Sequence, residues 1–175
     1  DARVALGELR RRAAPERVVI FGACQAGHVA ARLATADGVD GLVLAGVVNF
    51  DDYFRENYRG LLPGLPRISE LPTADLFEEL AGFFGPLLLI HGGSDPYMDP
   101  HRLLELAERW LERAPRSGRH LEMRIVDGSD HTFSSRPREQ VLIRETATWL
   151  ERRYGPGYPR AWQGPPPSAA PPTTI

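Results

Sequence analysis

The 175-residue sequence has a single cysteine, no lysine, no long apolar run and almost no net charge. One cysteine cannot form an internal disulfide, which excludes a disulfide-stapled secreted scaffold and any Cys-rich zinc module. The longest apolar runs, such as residues 41–48 and 87–90, fall far short of the roughly 20 residues that a bilayer span requires. No basic start leads into an apolar signal core either. With 21 basic against 23 acidic residues, a net charge of -2 and a pI near 6.2, the chain offers no basic stripe to a nucleic acid. Its arginine clusters, at 10–12 and 152–153, sit at the ends of helix-like segments. That every basic residue is Arg speaks of a GC-rich coding source, and no mechanism follows from it. What is present, 42% hydrophobic residues, suits one soluble domain, expected to be cytoplasmic.

The last 21 residues, 155–175, hold seven prolines and almost no aliphatic side chains. They cannot bury enough surface to offset their ordering entropy, so a disordered tail is expected. Residues 1–154 alternate short apolar runs with helical patterns, as βαβ units and a parallel sheet do. Residues 3–13 read as an amphipathic helix. The run 17–22 is a β-branched strand suited to burial on both faces. Residues 25–34 are helical, with Val29 and Leu33 four apart. A second buried strand is expected at 41–48 and a third at 87–91. A helix follows at 100–113, where Leu103, Leu104, Ala107, Trp110 and Leu111 recur at a 3.6-residue period. Residues 120–126 alternate as an edge strand does. A final helix, 137–154, places Val141, Ile143, Ala147, Trp149 and Leu150 near the core.

Residues 50–85 are too long for a single crossover helix. They carry the aromatics Phe50, Tyr53, Phe54 and Tyr58, with Phe77, Phe83 and Phe84 later, and two short helices split by Pro63 and Pro66 would fit. Two readings stand: an ordinary crossover with extra packing, or a lid over an apolar substrate groove.

Chemistry concentrates where strands end. The strand 17–22 runs at once into Gly22-Ala23-Cys24-Gln25-Ala26-Gly27 and a helix. A turn this sharp strains its apex residue, Cys24, and requires small residues two before and two after it, which Gly22 and Ala26 supply. It aims a helix N-terminus at the apex side chain, where negative charge is favoured and thiolate chemistry is supported. Taken by itself Cys24 reads as a small buried hydrophobe. Two later segments alter the balance. His91-Gly92-Gly93-Ser94-Asp95 ends a buried strand with an acid, and Asp127-Gly128-Ser129-Asp130-His131 ends the next with a histidine. Nucleophile, acid and base thus occur in that order, each past the carboxyl end of a successive parallel strand, where open α/β sheets place their sites. Asp51 and Asp52, past the second strand, are alternative acids. Asp99 is expected to cap the helix at Pro100, Asp130 to serve a turn, His28 to pack within its helix, and His91 to form a tight turn toward the acid. His101 and His120 lack carboxylate partners at ligand spacing, so neither metal nor cofactor is expected.

These three segments in order resemble the α/β-hydrolase fold family, over residues 1 to about 154. The cysteine at the elbow is similar to that of dienelactone hydrolases and polyhydroxyalkanoate synthases. The ending Gly128-Ser129-Asp130-His131-Thr132-Phe133 looks most like the Cys-nucleophile hydrolases associated with exosortase systems. The resemblance implies Cys24 as nucleophile, His131 as general base and acid, and Asp95 as its orienting carboxylate. The Gln25 backbone N–H would be an oxyanion donor. It implies a small-molecule substrate with an ester, lactone or thioester, resolved by water through an acyl-enzyme. Acyl transfer to an alcohol, or a non-catalytic remnant of the fold, are the alternatives. The family's core sheet has eight strands and only the last four are recognisable, so a missing N-terminal segment or another chain is expected along the 17–22 strand.

Overall fold

The computed structural model describes residues 2–49, 75–113 and 120–156. Among these residues nine elements follow: α1 (Ala2–Ala13), β1 (Val19–Ala23), α2 (Ala26–Asp37), β2 (Gly41–Ala45), α3 (Leu76–Glu79), β3 (Pro86–Gly92), α4 (Pro100–Glu112), β4 (His120–Val126) and α5 (Arg136–Tyr154). The four strands are all parallel, in the order β1-β2-β3-β4.

Parallel strands buried on both faces need continuous apolar runs, and β2 and β3 supply them, with every residue of both buried. Their side chains alternate between two cores. Leu42, Leu44, Leu87 and Leu89 pack with Ala30, Ala31 and Ala34 of α2, with Leu76 and Leu80, and with Leu103, Ala107 and Trp110 of α4. On the opposite face Val43, Ala45, Leu88 and Ile90 meet Val126, Phe133 and Trp149, the last from α5. Each fully buried leucine contributes about 1.5–3 kcal/mol.

Several expectations are corrected. Strand β1 is not buried on both faces: Phe21 is 49% exposed. The reason is position, since β1 is an edge of the described sheet, and α5, which covers that face, packs on β3 and β4. Val29 is exposed because α2 turns its small residues Gly27, Ala30, Ala31 and Ala34 to the sheet, bringing helix and strands close. In α4 Leu106 is buried and Leu104 exposed. In α5 Ile143 and Ala147 face outward, and Trp149 is the anchor. Within the expected 50–85 insertion, Leu76, Phe77, Leu80 and Phe83 belong to the main core. Residues Phe50, Tyr53, Phe54 and Tyr58, and 157–175 of the expected tail, lie outside the described residues.

Candidate active site

Strand β1 passes into α2 through Cys24 and Gln25. Cys24 has φ +51°, a left-handed conformation that costs a residue with a side chain about 1–3 kcal/mol. Its N–H donates to the Ala45 carbonyl (3.1 Å), extending the β1–β2 ladder, and its carbonyl accepts from Gly27 N–H (3.1 Å). The turn is possible because Gly22 has no side chain. A β-carbon there would lie 2.7 Å from that of Ala30 and 2.9 Å from the Gly27 Cα and the Ala26 carbonyl oxygen. Gly27 likewise lets α2 approach Val47. Gln25 caps α2, so its backbone N–H stands at the helix N-terminus beside the partly exposed Cys24.

The loops after β3 and β4 are zipped together: Gly93 N–H donates to Val126 O and Ser94 N–H to Ser129 O, both at 2.9 Å. This brings Asp95 to His131. The Asp95 carboxylate is fully buried, and its Oδ2 accepts from His131 Nδ1–H at 2.8 Å, while its Oδ1 accepts from the Tyr97 N–H at 2.8 Å. His131 is pushed up to about 9, first by the hydrogen bond to Asp95, with a further contribution from the Cys24 side chain and an opposing one from burial. With Nδ1 committed to Asp95, its Nε2 is the nitrogen left for the thiol.

Two supports of this pair are not apparent from sequence. Gly46 has φ +52°, and a side chain there would collide with the His131 carbonyl; Gly46 N–H bonds Ile90 O at 2.9 Å. The end of β2 therefore seats the histidine loop only if that position is glycine. His91, read as part of a turn, is instead the penultimate residue of β3 and completely buried. Its Nε2–H donates to Met98 O at 2.9 Å and stands 3.4 Å from Asp95 Oδ2. Burial holds its pKa below the usual value, so this is a neutral ring lying against the carboxylate rather than an ion pair. The four-residue spacing of His91 and Asp95 is the sequence signal that could have linked them.

The remaining candidates separate cleanly. Asp99 caps α4, accepting from His101 N–H (2.8 Å), and Asp130 accepts from Ser134 N–H (2.9 Å) within its turn. His28 lies on α2 but its buried ring bridges outward, with Nε2 2.9 Å from Val48 O past β2 and Nδ1 2.7 Å from Glu79 of α3. Asp51 and Asp52 lie outside the described residues. Among the described residues no three His, Cys, Asp or Glu side chains are grouped as a metal ion would need, and no helix is long and apolar enough to cross a membrane.

No family model matches the sequence, and no curated protein does. Solved structures do. The esterase domain of a Rhodothermus marinus protein superposes with a TM-score of 0.64 at 21% identity, over 87% of this chain and 67% of that one. An esterase from Pyrococcus furiosus gives 0.67 at 16%, over 87% and 60%. An alpha-beta serine hydrolase homologue from Coxiella burnetii gives 0.56 at 16%, over 83% and 56%. The chain adopts a partial α/β-hydrolase fold. It thus spans from 56% to 67% of the length of these three relatives in fold. In a hydrolase-fold sheet the ends of β1, β3 and β4 share one edge, and here that edge gathers Cys24, Asp95 and His131.

Proposed function

We propose that this chain is a hydrolase of carboxylic esters or thioesters working through Cys24, His131 and Asp95. The observation that carries this reading is the strained apex cysteine in reach of a histidine whose other nitrogen is bound to a buried carboxylate. With the Cys24 thiol proton passed to His131 Nε2, the sulfur attacks the carbonyl carbon, and the carbonyl π pair moves onto oxygen, near the Gln25 N–H and the positive end of α2. The oxyanion collapses, the bond to the leaving group breaks, and His131 Nε2 gives that group its proton. Water then attacks the acyl-Cys24 thioester while His131 takes its proton; the C–S bond breaks and the carboxylic acid departs. The neighbours that are esterases and serine hydrolases support the ester class. A cysteine in the place of the serine of a Ser-His-Asp triad keeps the same division of labour.

The test is direct because the chain has one cysteine. Incubation with p-nitrophenyl acetate, quenched in acid, is expected to add one acetyl group at Cys24 by mass spectrometry, and none in Cys24→Ala. Acetylation elsewhere with Cys24 untouched would refute the assignment.

A further inference from the structure

Tyr97 stands beside this machinery and is used by none of the steps above. Its backbone is locked to the acid, because its N–H donates to Asp95 Oδ1 (2.8 Å). Its ring meets the His131 imidazole edge to face, centroids 4.9 Å apart and planes at 86°, within the range where such pairs are attractive. Among the described residues the His131 ring is held by its hydrogen bond to the carboxylate and by its contact with Cys24, about which an imidazole can still swing. The perpendicular ring removes that freedom. Tyr97 is also 45% exposed, so it stands on the solvent side of a histidine that is only 8% exposed. One carboxylate thus holds both the histidine and the residue that walls it.

On the reading of Cys24 and His131 given above, we propose that Tyr97 is a positioning residue that fixes the plane of the His131 ring so that Nε2 addresses the Cys24 sulfur. The contact that does this is that of the ring. Displacing a reacting group by about 1 Å can lower rates by up to a hundredfold, so loss of the ring is expected to act on turnover rather than on binding.

The full chain carrying Tyr97→Leu or Tyr97→Phe is compared with the parent by p-nitrophenyl acetate turnover and by iodoacetamide alkylation of Cys24, with His131→Gln as the reference. Tyr97→Leu is expected to lower kcat and the alkylation rate by about ten- to a hundredfold with KM little changed, while Tyr97→Phe restores both to within about twofold. In NMR spectra the His131 ring-proton shifts should move in the Leu variant and remain in the Phe variant, with thermal midpoints alike. Normal turnover in Tyr97→Leu while His131→Gln is inactive would overturn the role of Tyr97 alone. Unchanged alkylation in His131→Gln would overturn the thiol–imidazole reading and this proposal with it. Equal loss in Phe and Leu would transfer the role to the hydroxyl and refute a ring clamp.

Discussion

Asp95 joins more of the site than any other side chain: one oxygen orients His131, the other fixes Tyr97, and neutral His91 lies against it. The His131 proton responds first to that carboxylate. Since its surroundings, the Asp95 hydrogen bond first and Cys24 after it, raise His131 from 6.5 to about 9, their stabilising contribution is complete below pH 6.5 and is lost as pH climbs through 9. The urea midpoint should therefore fall across that window in the parent and stay flatter in Asp95→Asn. Activity should follow the same proton. In the proposed mechanism a protonated His131 releases the leaving group, so turnover is expected to decline above about pH 9, and the alkaline limb should move to lower pH in Asp95→Asn. In serine triads such a change lowers turnover by up to about ten-thousandfold; a sulfur nucleophile, intrinsically more reactive, should lose less. An alkaline limb unmoved by Asp95→Asn would assign it to another group.

Elements hold these side chains through close backbone approaches. The β1–α2 turn depends on Gly22, and the seat of the histidine loop on Gly46. Both were accessible to reasoning only in part. Gly22 is demanded by a sharp strand-to-helix turn and is legible from its neighbours. Gly46 lies in an apolar run, Leu44-Ala45-Gly46-Val47-Val48, that reads as strand throughout, and the strand in fact stops at Ala45. Its importance comes from a loop 85 residues later in the chain, which no local pattern reports. Gly46→Ala is expected to cost about 1–3 kcal/mol from strain and overpacking. It should also lower kcat, since the displaced carbonyl is that of His131. Gly7 in α1 has open space around it, so Gly7→Ala should be neutral or stabilising by up to about 1 kcal/mol. Chemical denaturation of both variants checks the contrast; equal effects would mean that the Gly46 clash does not matter.

For the whole molecule the consequential feature is an apolar edge. β1 pairs only with β2 among the described residues, and Phe21 stands exposed on it. Unpaired backbone beside an uncovered aromatic is a template for association. The chain expressed alone is expected to self-associate at micromolar concentration, and Phe21→Lys should shift it toward monomer in sedimentation velocity without altering its helical signal. A parent that stays monomeric would show that the edge is protected in another way. At the opposite edge β4 carries Glu122 and Arg124, with Arg152 and Arg153 reaching Glu122 from α5. Charge of this kind discourages pairing, so association should be one-sided.

The sequence by itself determined the class of fold, because short apolar runs alternating with helical periods fit a parallel sheet between helices. It also determined the order of Cys24, Asp95 and His131, because each ends a strand and strand ends share one edge. Which faces those helices bury was legible only in part. Val29, Leu104 and Ile143 obey the helical period yet lie outside, since apolar spacing defines a stripe but not its centre. Tertiary structure alone decided that the Tyr97 ring meets His131 and that Gly46 seats the histidine. Those contacts join segments whose separation is set by how strands pair, and pairing is a property of the folded sheet, not of any stretch of chain.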